Sequence, residues 1–264
     1  MNKWVLITGA YGGMGKAVTQ RLWQQGYRVL TLDRKVGQAK ENNIPIEADV
    51  TSEESIQAAY EAVRSQTDHL YAIIHFAGIY MLDSLAEMET EDFDRIFDIN
   101  VRGAFLINKT FLPLLGKDSR IVITTSELAP LDPLPFTGIY AITKAALDRY
   151  AYSLRMELQL LGIRVSVLRA GAVKTELLKT STDALDRFCE QTKLYTCNAK
   201  RFKAIVNRVE ARCVPPEKIA KKTEKLLRKK HPSFAYHINR NPLLRLMNCL
   251  PKRVQLFAIR QVLK

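Results

Sequence analysis

Tyr140 and Lys144 stand four residues apart in Tyr140-Ala141-Ile142-Thr143-Lys144, a spacing that sets a phenol and an ammonium on one face of a helix. A free tyrosine titrates near 10, too high to exchange protons readily at neutral pH. A neighbouring ammonium favours the phenolate, so the pair is expected to lower the phenol's pKa and make Tyr140 a general acid or base. Ser126, upstream at the end of an apolar run, can hold a carbonyl or hydroxyl oxygen. Tyrosine and lysine at this spacing usually just face solvent. Their weight here comes from a second cluster near the start of the chain.

That cluster is Thr8-Gly9-Ala10-Tyr11-Gly12-Gly13-Met14-Gly15, between a β-branched run and a helical pattern. Glycines let the backbone turn sharply and approach a pyrophosphate, and the helix start offers free N–H groups to the anion. Thr8, Gly9, Gly13, Met14 and Gly15 are therefore the expected cradle. Asp33 ends the next strand, about 20 residues on, where a carboxylate accepts hydrogen bonds from an adenosine ribose. It would repel a 2′-phosphate, which favours NAD(H). Arg34 is the counterweight, since a guanidinium there can bind that phosphate and admit NADP(H).

Periodicity places these residues on alternating elements. Strands are expected at 3–8, 28–32, 44–48, 70–76, 119–125 and 163–168, with helices at 13–25, 53–65, 90–110 and 138–161. Thr51 and Glu54 read as a capping box for the second helix. Such alternation calls for parallel strands with right-handed crossovers, apolar on both faces. The expected fold is α/β: a single-domain Rossmann fold, a doubly wound parallel sheet, over residues 1–240. Within it, 175–214 reads as a polar, irregularly helical and poorly anchored loop that closes over substrate. Pro215 and Pro216 open a basic helix, 234–238 reads as a last strand, and 241–264 as a helical extension broken at Pro251.

Together these motifs resemble the short-chain dehydrogenase/reductase family in its compact form, over roughly residues 3–176. The cradle fits Thr-Gly-x-x-x-Gly-x-Gly through Thr8, Gly9, Gly13 and Gly15. The resemblance implies adenine contacts from Asp49-Val50, close cofactor approach at Ala77-Gly78, and nicotinamide contacts from Val173 and Thr175. It implies a catalytic set of Asn100, Ser126, Tyr140 and Lys144. Tyr140 would exchange the proton and also contact the cofactor, Lys144 would bind the nicotinamide ribose, Ser126 would orient the substrate, and Asn100 would hold a relay water. The family's Asn-Asn-Ala-Gly is His75-Phe76-Ala77-Gly78 here, and its Pro-Gly is Ala170-Gly171. Ser126 precedes Tyr140 by 14 residues, so Thr125 or Glu127 could take its place if the register differs. Gly9, Gly12 and Gly15 also satisfy the extended pattern of sugar-nucleotide epimerases, but too little chain follows Gly171 for their substrate domain.

Charge is segregated. The 264 residues carry a net +13, yet 193–264 holds 19 Lys and Arg against 3 Asp and Glu, leaving 21 basic against 24 acidic groups in 1–192. Without a recognition motif, nucleic acid is not an expected partner. Cys189, Cys197, Cys213 and Cys249 form no Cys-x-x-Cys pair, so neither disulfides nor a metal site is expected, and a cytoplasmic location follows. No apolar run reaches the roughly 18 residues of a membrane span, and no signal peptide is expected at the start.

The expected function is an NAD(H)- or NADP(H)-dependent oxidoreductase on a secondary or allylic alcohol and its carbonyl. The tail resembles those of members acting on hydroxysteroids and retinoids, which implies a lipophilic substrate. Family resemblance implies a homodimer or homotetramer. The tail either packs on the body or on a dimer partner, with its basic face solvated, or lies on an anionic membrane. Two alternatives stay open: a catalytically idle NAD(H)-binding sensor or scaffold, and a peripheral membrane protein with secondary redox activity.

Overall fold

Seven short strands pair edge to edge, and the central ones, apolar on both sides, must be covered twice. The seven are β1 (Trp4–Thr8), β2 (Arg28–Asp33), β3 (Asn43–Glu47), β4 (Ala72–His75), β5 (Arg120–Ser126), β6 (Arg164–Ala170) and β7 (Ala235–Ile238). A computed structural model describes residues 3–210 and 212–264, with 177–181 and 208–210 as helical backbone alone. The sheet is parallel throughout, in the order β3-β2-β1-β4-β5-β6-β7. Strand order reverses between β1 and β4, and a ligand crevice opens at the carboxyl ends of strands at such a switch point.

Alternate side chains feed two layers. Val5, Ile7, Ala72 and Val122 pack under α1 (Gly13–Gln24) and α8 (Pro216–Arg228). Leu6, Leu30 and Ile73 meet α2 (Glu53–Arg64) and α4 (Gly103–Phe111), while Ile121, Ile123 and Val165 meet α5 (Gly138–Leu158). Gly26, at φ +79°, turns the chain out of α1.

Three expectations need correction. The cap of α2 is Ser52, whose hydroxyl accepts from Ser55 N–H, not a Thr51–Glu54 box. Thr51 is engaged elsewhere: its N–H and hydroxyl both donate to Asp49 Oδ1 at 2.9 and 2.8 Å. The single helix expected over 90–110 is interrupted. α3 (Thr90–Phe97) passes through a π-helical turn at Asp98–Arg102 before α4 begins. One extra residue per turn leaves the hydrophobic pattern readable as plain helix, so sequence periodicity does not reveal it.

The third correction concerns 175–214, which is two regular helices, α6 (Glu176–Gln191) and α7 (Thr196–Glu210), and is firmly anchored. Leu185, Phe188, Ala199 and Phe202 are buried around Phe136. Glu87 accepts from Thr192 Oγ1 at 2.6 Å and Lys193 N at 2.8 Å across the α6–α7 turn. The apolar residues are few, but they converge on one aromatic from a distant loop. The chain ends in α9 (Pro242–Asn248) and α10 (Lys252–Leu263), as the break at Pro251 predicts.

His75 is fully enclosed in β4, and its Nε2 meets Asn108 Oδ1 at 2.9 Å. Asn108 in turn donates to Tyr150 Oη at 3.1 Å, so the ring is part of a strand-to-helix bridge. Burial pushes its pKa down to about 4. A base depressed in the folded state contributes full stability above its unfolded pKa near 6.5, and loses it as pH falls toward 4. Urea midpoints measured from pH 7 to 4 are therefore expected to show about 3 kcal/mol more acid loss in the wild type than in His75→Gln.

Candidate active site

The crevice begins at the β1–α1 turn. Gly9 has φ +64°, and a Cβ there would lie 2.6 Å from Phe76 C and 2.7 Å from Ala77 Cα. A Cβ on Gly15 would lie 2.7 Å from Ala10 Cα, and one on Gly13 2.6 Å from Thr175 Cγ2. The three glycines thus hold three backbone segments at van der Waals distance. Gly12 caps α1 without any side-chain acceptor, and the only charged residue of the first turns, Lys16, is a cation. The first amides of the helix are presented bare, which is what an anionic pyrophosphate requires.

The carboxylates lie at the rim. Asp33 accepts from Tyr11 N–H at 3.0 Å and Arg34 N–H at 2.9 Å, bracing the glycine turn. Asp49 is held below the ordinary carboxylate range, first by the Thr51 N–H. The nearby Arg34 guanidinium lowers it further. Val50 packs against Gly103, where a Cβ would lie 2.9 Å from Val50 Cγ2. Thr8 is buried, and its Oγ1 accepts from Ala77 N–H at 3.4 Å.

At the mouth of β4 and β5 the polar groups converge. Ser126, Tyr140 and Lys144 line one cavity of about 650 Å³ together with Met14, Gly78 and Thr175, and Val173 borders it too. Ser126 Oγ accepts from Leu128 N–H at 3.2 Å and also bonds the Tyr140 hydroxyl. The neighbouring positions are engaged otherwise: Thr125 Oγ1 bonds Asp148 on the α5 side of the sheet, and Glu127 Oε2 accepts from Asn241 N–H at 2.6 Å. Lys144 is 6% exposed, and its Nζ donates to Thr124 O at 3.4 Å and lies 5.6 Å from the Tyr140 ring centroid.

Asn100 comes from the π-helical turn and spans the loop after β4. Its Oδ1 accepts from Ile79 N–H at 2.8 Å, and its Nδ2 donates to Ile79 O at 3.0 Å and Thr143 Oγ1 at 3.2 Å. Its amide thus bridges the backbone of Ile79 and the Thr143 hydroxyl. Gly78 leaves the space between: a Cβ there would be 3.0 Å from Asn100 Oδ1 and 3.4 Å from Lys144 Nζ.

The electrostatics depart from expectation. Burial pushes the Tyr140 phenol up, the adjacent Tyr80 adds to this, and only the Ser126 hydrogen bond opposes it. Burial also pushes Lys144 down, to about 8. The ammonium was expected to lower the phenol's pKa. Instead desolvation dominates both groups, and Tyr140 is held as a neutral phenol with a proton to give.

Some contributors carry no local signal in the sequence. Tyr80 packs against Tyr140 at a tilt, with ring centroids 4.8 Å apart, and Phe202, Leu244, Met247 and Ile259 wall the cavity from α7, α9 and α10. The tail that reads as an extension is a roof, tied down by Glu127 to Asn241, by Asp132 N–H to Asn248 Oδ1 (2.7 Å) and by Asn198 to Leu263 O (2.6 Å).

The family model described as short chain dehydrogenase matches residues 3–186. The chain belongs to that family. An NADPH-dependent 1-acyldihydroxyacetone phosphate reductase of Schizosaccharomyces pombe is 31% identical over 69% of this chain and 65% of its own, so the match spans just under two thirds of that relative. Estradiol 17-beta-dehydrogenase 2 of Mus musculus is 30% identical over 70% of this chain and 54% of its own. Among solved structures, a 3-ketoacyl-(acyl-carrier-protein) reductase from Brucella melitensis complexed with NADH superposes with a TM-score of 0.73. It is 24% identical, with 89% of this chain and 96% of that one covered, which speaks for the fold. Short chain dehydrogenases bind NAD(P)(H), and the bare helix start and glycine packing of this chain suit a dinucleotide.

Gly9→Ala tests that packing directly. With positive φ and backbone atoms on all sides, the substitution is expected to cost roughly 2–4 kcal/mol in denaturant melts and to abolish NADH fluorescence enhancement.

Proposed function

We propose that this oxidoreductase interconverts a lipophilic secondary or allylic alcohol and its carbonyl, with Tyr140 as the acid or base. The carrying observation is the half-buried Tyr140 phenol, bonded to Ser126 and beside Lys144, in a cavity lined mainly by apolar side chains. When bound, the dinucleotide supplies or accepts the hydride. Ser126 holds the substrate oxygen against the phenol, and Tyr140 donates its proton to that oxygen during reduction or removes one during oxidation. Lys144 binds the nicotinamide ribose and, once charged, steadies the phenolate. Asn100 acts as a positioning residue, fixing Ile79 and Thr143 around this pair.

Asp33 favours NAD(H), with NADP(H) as the alternative through Arg34. Asp49, Val50, Ala77 and Gly78 bound the dinucleotide crevice, and Val173 and Thr175 meet the nicotinamide end. The apolar lining, and relatives whose names specify an acylated ketone and a steroid, support a substrate such as a hydroxysteroid or retinoid. A homodimer or homotetramer fits the exposed Phe105 of α4 with Tyr152 and Met156 of α5. We assign the chain to the cytoplasm; among the described residues no helix is long and apolar enough to cross a membrane.

Hydroxysteroids, retinol and simple secondary alcohols, followed at 340 nm with NAD and NADP in parallel, identify substrate and cofactor. Tyr140→Phe is expected to lower turnover by about 100-fold or more with NADH affinity unchanged. Unchanged turnover would instead revive the idle-binder reading. Lys144 is charged below its pKa of about 8, so carbonyl reduction should decline as pH rises above 8. That decline should vanish against the low residual rate of Lys144→Met.

A further inference from the structure

We propose that the outer face of α9 and α10 seats the protein on an anionic phospholipid bilayer, and that the cavity is filled from that membrane. These two helices are apolar on both sides. Leu244, Met247, Ile259 and Leu263 face the cavity. Outward, Leu246 is 64% exposed, Leu256 68% and Phe257 63%. A surface helix normally buries one stripe and solvates the other. Here the solvated stripe is greasy as well, within a segment of only 24 residues.

Charge selects the occupant. Arg253, Leu256, Phe257 and Arg260 follow the i, i+3, i+4, i+7 pattern and so share one outward face of α10, and all four are exposed. Arg245 and Leu246 repeat the combination on α9, and both are exposed. Residues 241–264 contain Arg245, Lys252, Arg253, Arg260 and Lys264 and no Asp or Glu. Interleaved cations and large apolar side chains on one helical face suit an interface, where the side chains enter the acyl boundary and the cations meet phosphates. A protein partner of this chemistry would need an acidic counterface. A second copy offers none in this segment.

The roof geometry gives the seating a consequence. Since the same two helices wall the cavity, their outer face lies one helix thickness from the substrate. The Asn241 N-cap, held by Glu127 beside Ser126, ties the roof to the end of β5. In this proposal a membrane-dissolved molecule has only the thickness of α9–α10 between the acyl layer and the apolar lining. This filling step rests on the lipophilic-substrate reading; the seating does not.

The test is flotation of the full-length protein with phosphatidylcholine vesicles, plain or with about 30% phosphatidylglycerol. Wild type should float with the anionic vesicles in low salt and largely release in about 0.5 M NaCl. Leu256→Glu with Phe257→Glu, and separately Arg253→Gln with Arg260→Gln, should each weaken flotation by roughly tenfold or more. Neither pair lines the cavity, so NADH binding and melting temperature should stay at wild-type values. Wild-type protein that stays at the bottom of the gradient, or a glutamate variant that floats undiminished, overturns the seating. So does light scattering showing that the glutamate variant turns an oligomer into a monomer, because a second copy then covers this face. Turnover of a long-chain ketone dissolved in the vesicles should fall more in the glutamate variant than turnover of a short soluble ketone; equal falls overturn the filling. Vesicle binding with no turnover on any ketone would count against the oxidoreductase reading alone.

Discussion

Lys144 holds an ammonium almost removed from water, and its surroundings are organised around that cost. Desolvation of a charge is tolerable only where polar partners replace the lost water. Thr124 O, at the end of β5, is one partner, and the face of the Tyr140 ring is another. Gly78 leaves the ammonium room beside Asn100, and the π-helical turn at Asp98–Arg102 carries that asparagine. Removing any one of these would leave the lysine either unsolvated or displaced. Burial also raises the Tyr140 phenol, so one environment shifts the two groups in opposite directions from their ordinary values.

The dry environment is built from parts far apart in the chain. The sheet supplies the floor through the ends of β4, β5 and β6. The aromatic cluster around Phe136 supports a wall made by α6 and α7. α9 and α10 add the roof, with the N-cap of α9 tied to Glu127, the residue after Ser126. Burial also holds the Glu127 carboxyl above its ordinary range. The placement of roof and proton-transfer group is thus linked through two consecutive residues of one strand end.

Much of this was legible along the chain. Local signals carried the alternation of strands and helices, the glycine turn, the proline start of α8 and the break at Pro251, because each depends on neighbours within a few residues. The Tyr140–Lys144 spacing and the end of β5 at Ser126 were legible for the same reason. Thr51 misled because Asp49, two residues away, takes its hydroxyl before the helix can. The segment 175–214 misled because Leu185, Phe188 and Phe202 are sparse among polar residues and gain their burial from Phe136, far upstream in the chain.

By itself the sequence determined a parallel doubly wound sheet, a dinucleotide-type turn and a phenol–ammonium pair, since periodicity and spacing encode which side chains share a face. The direction in which each member of that pair is shifted comes from the folded surroundings. Whether an ammonium lowers a phenol's pKa or both are shifted by dehydration depends on how completely distant segments exclude water. The tertiary structure likewise decided that the basic tail is a roof, because a helix with two apolar faces does not say which one meets the body until the cavity beneath it exists.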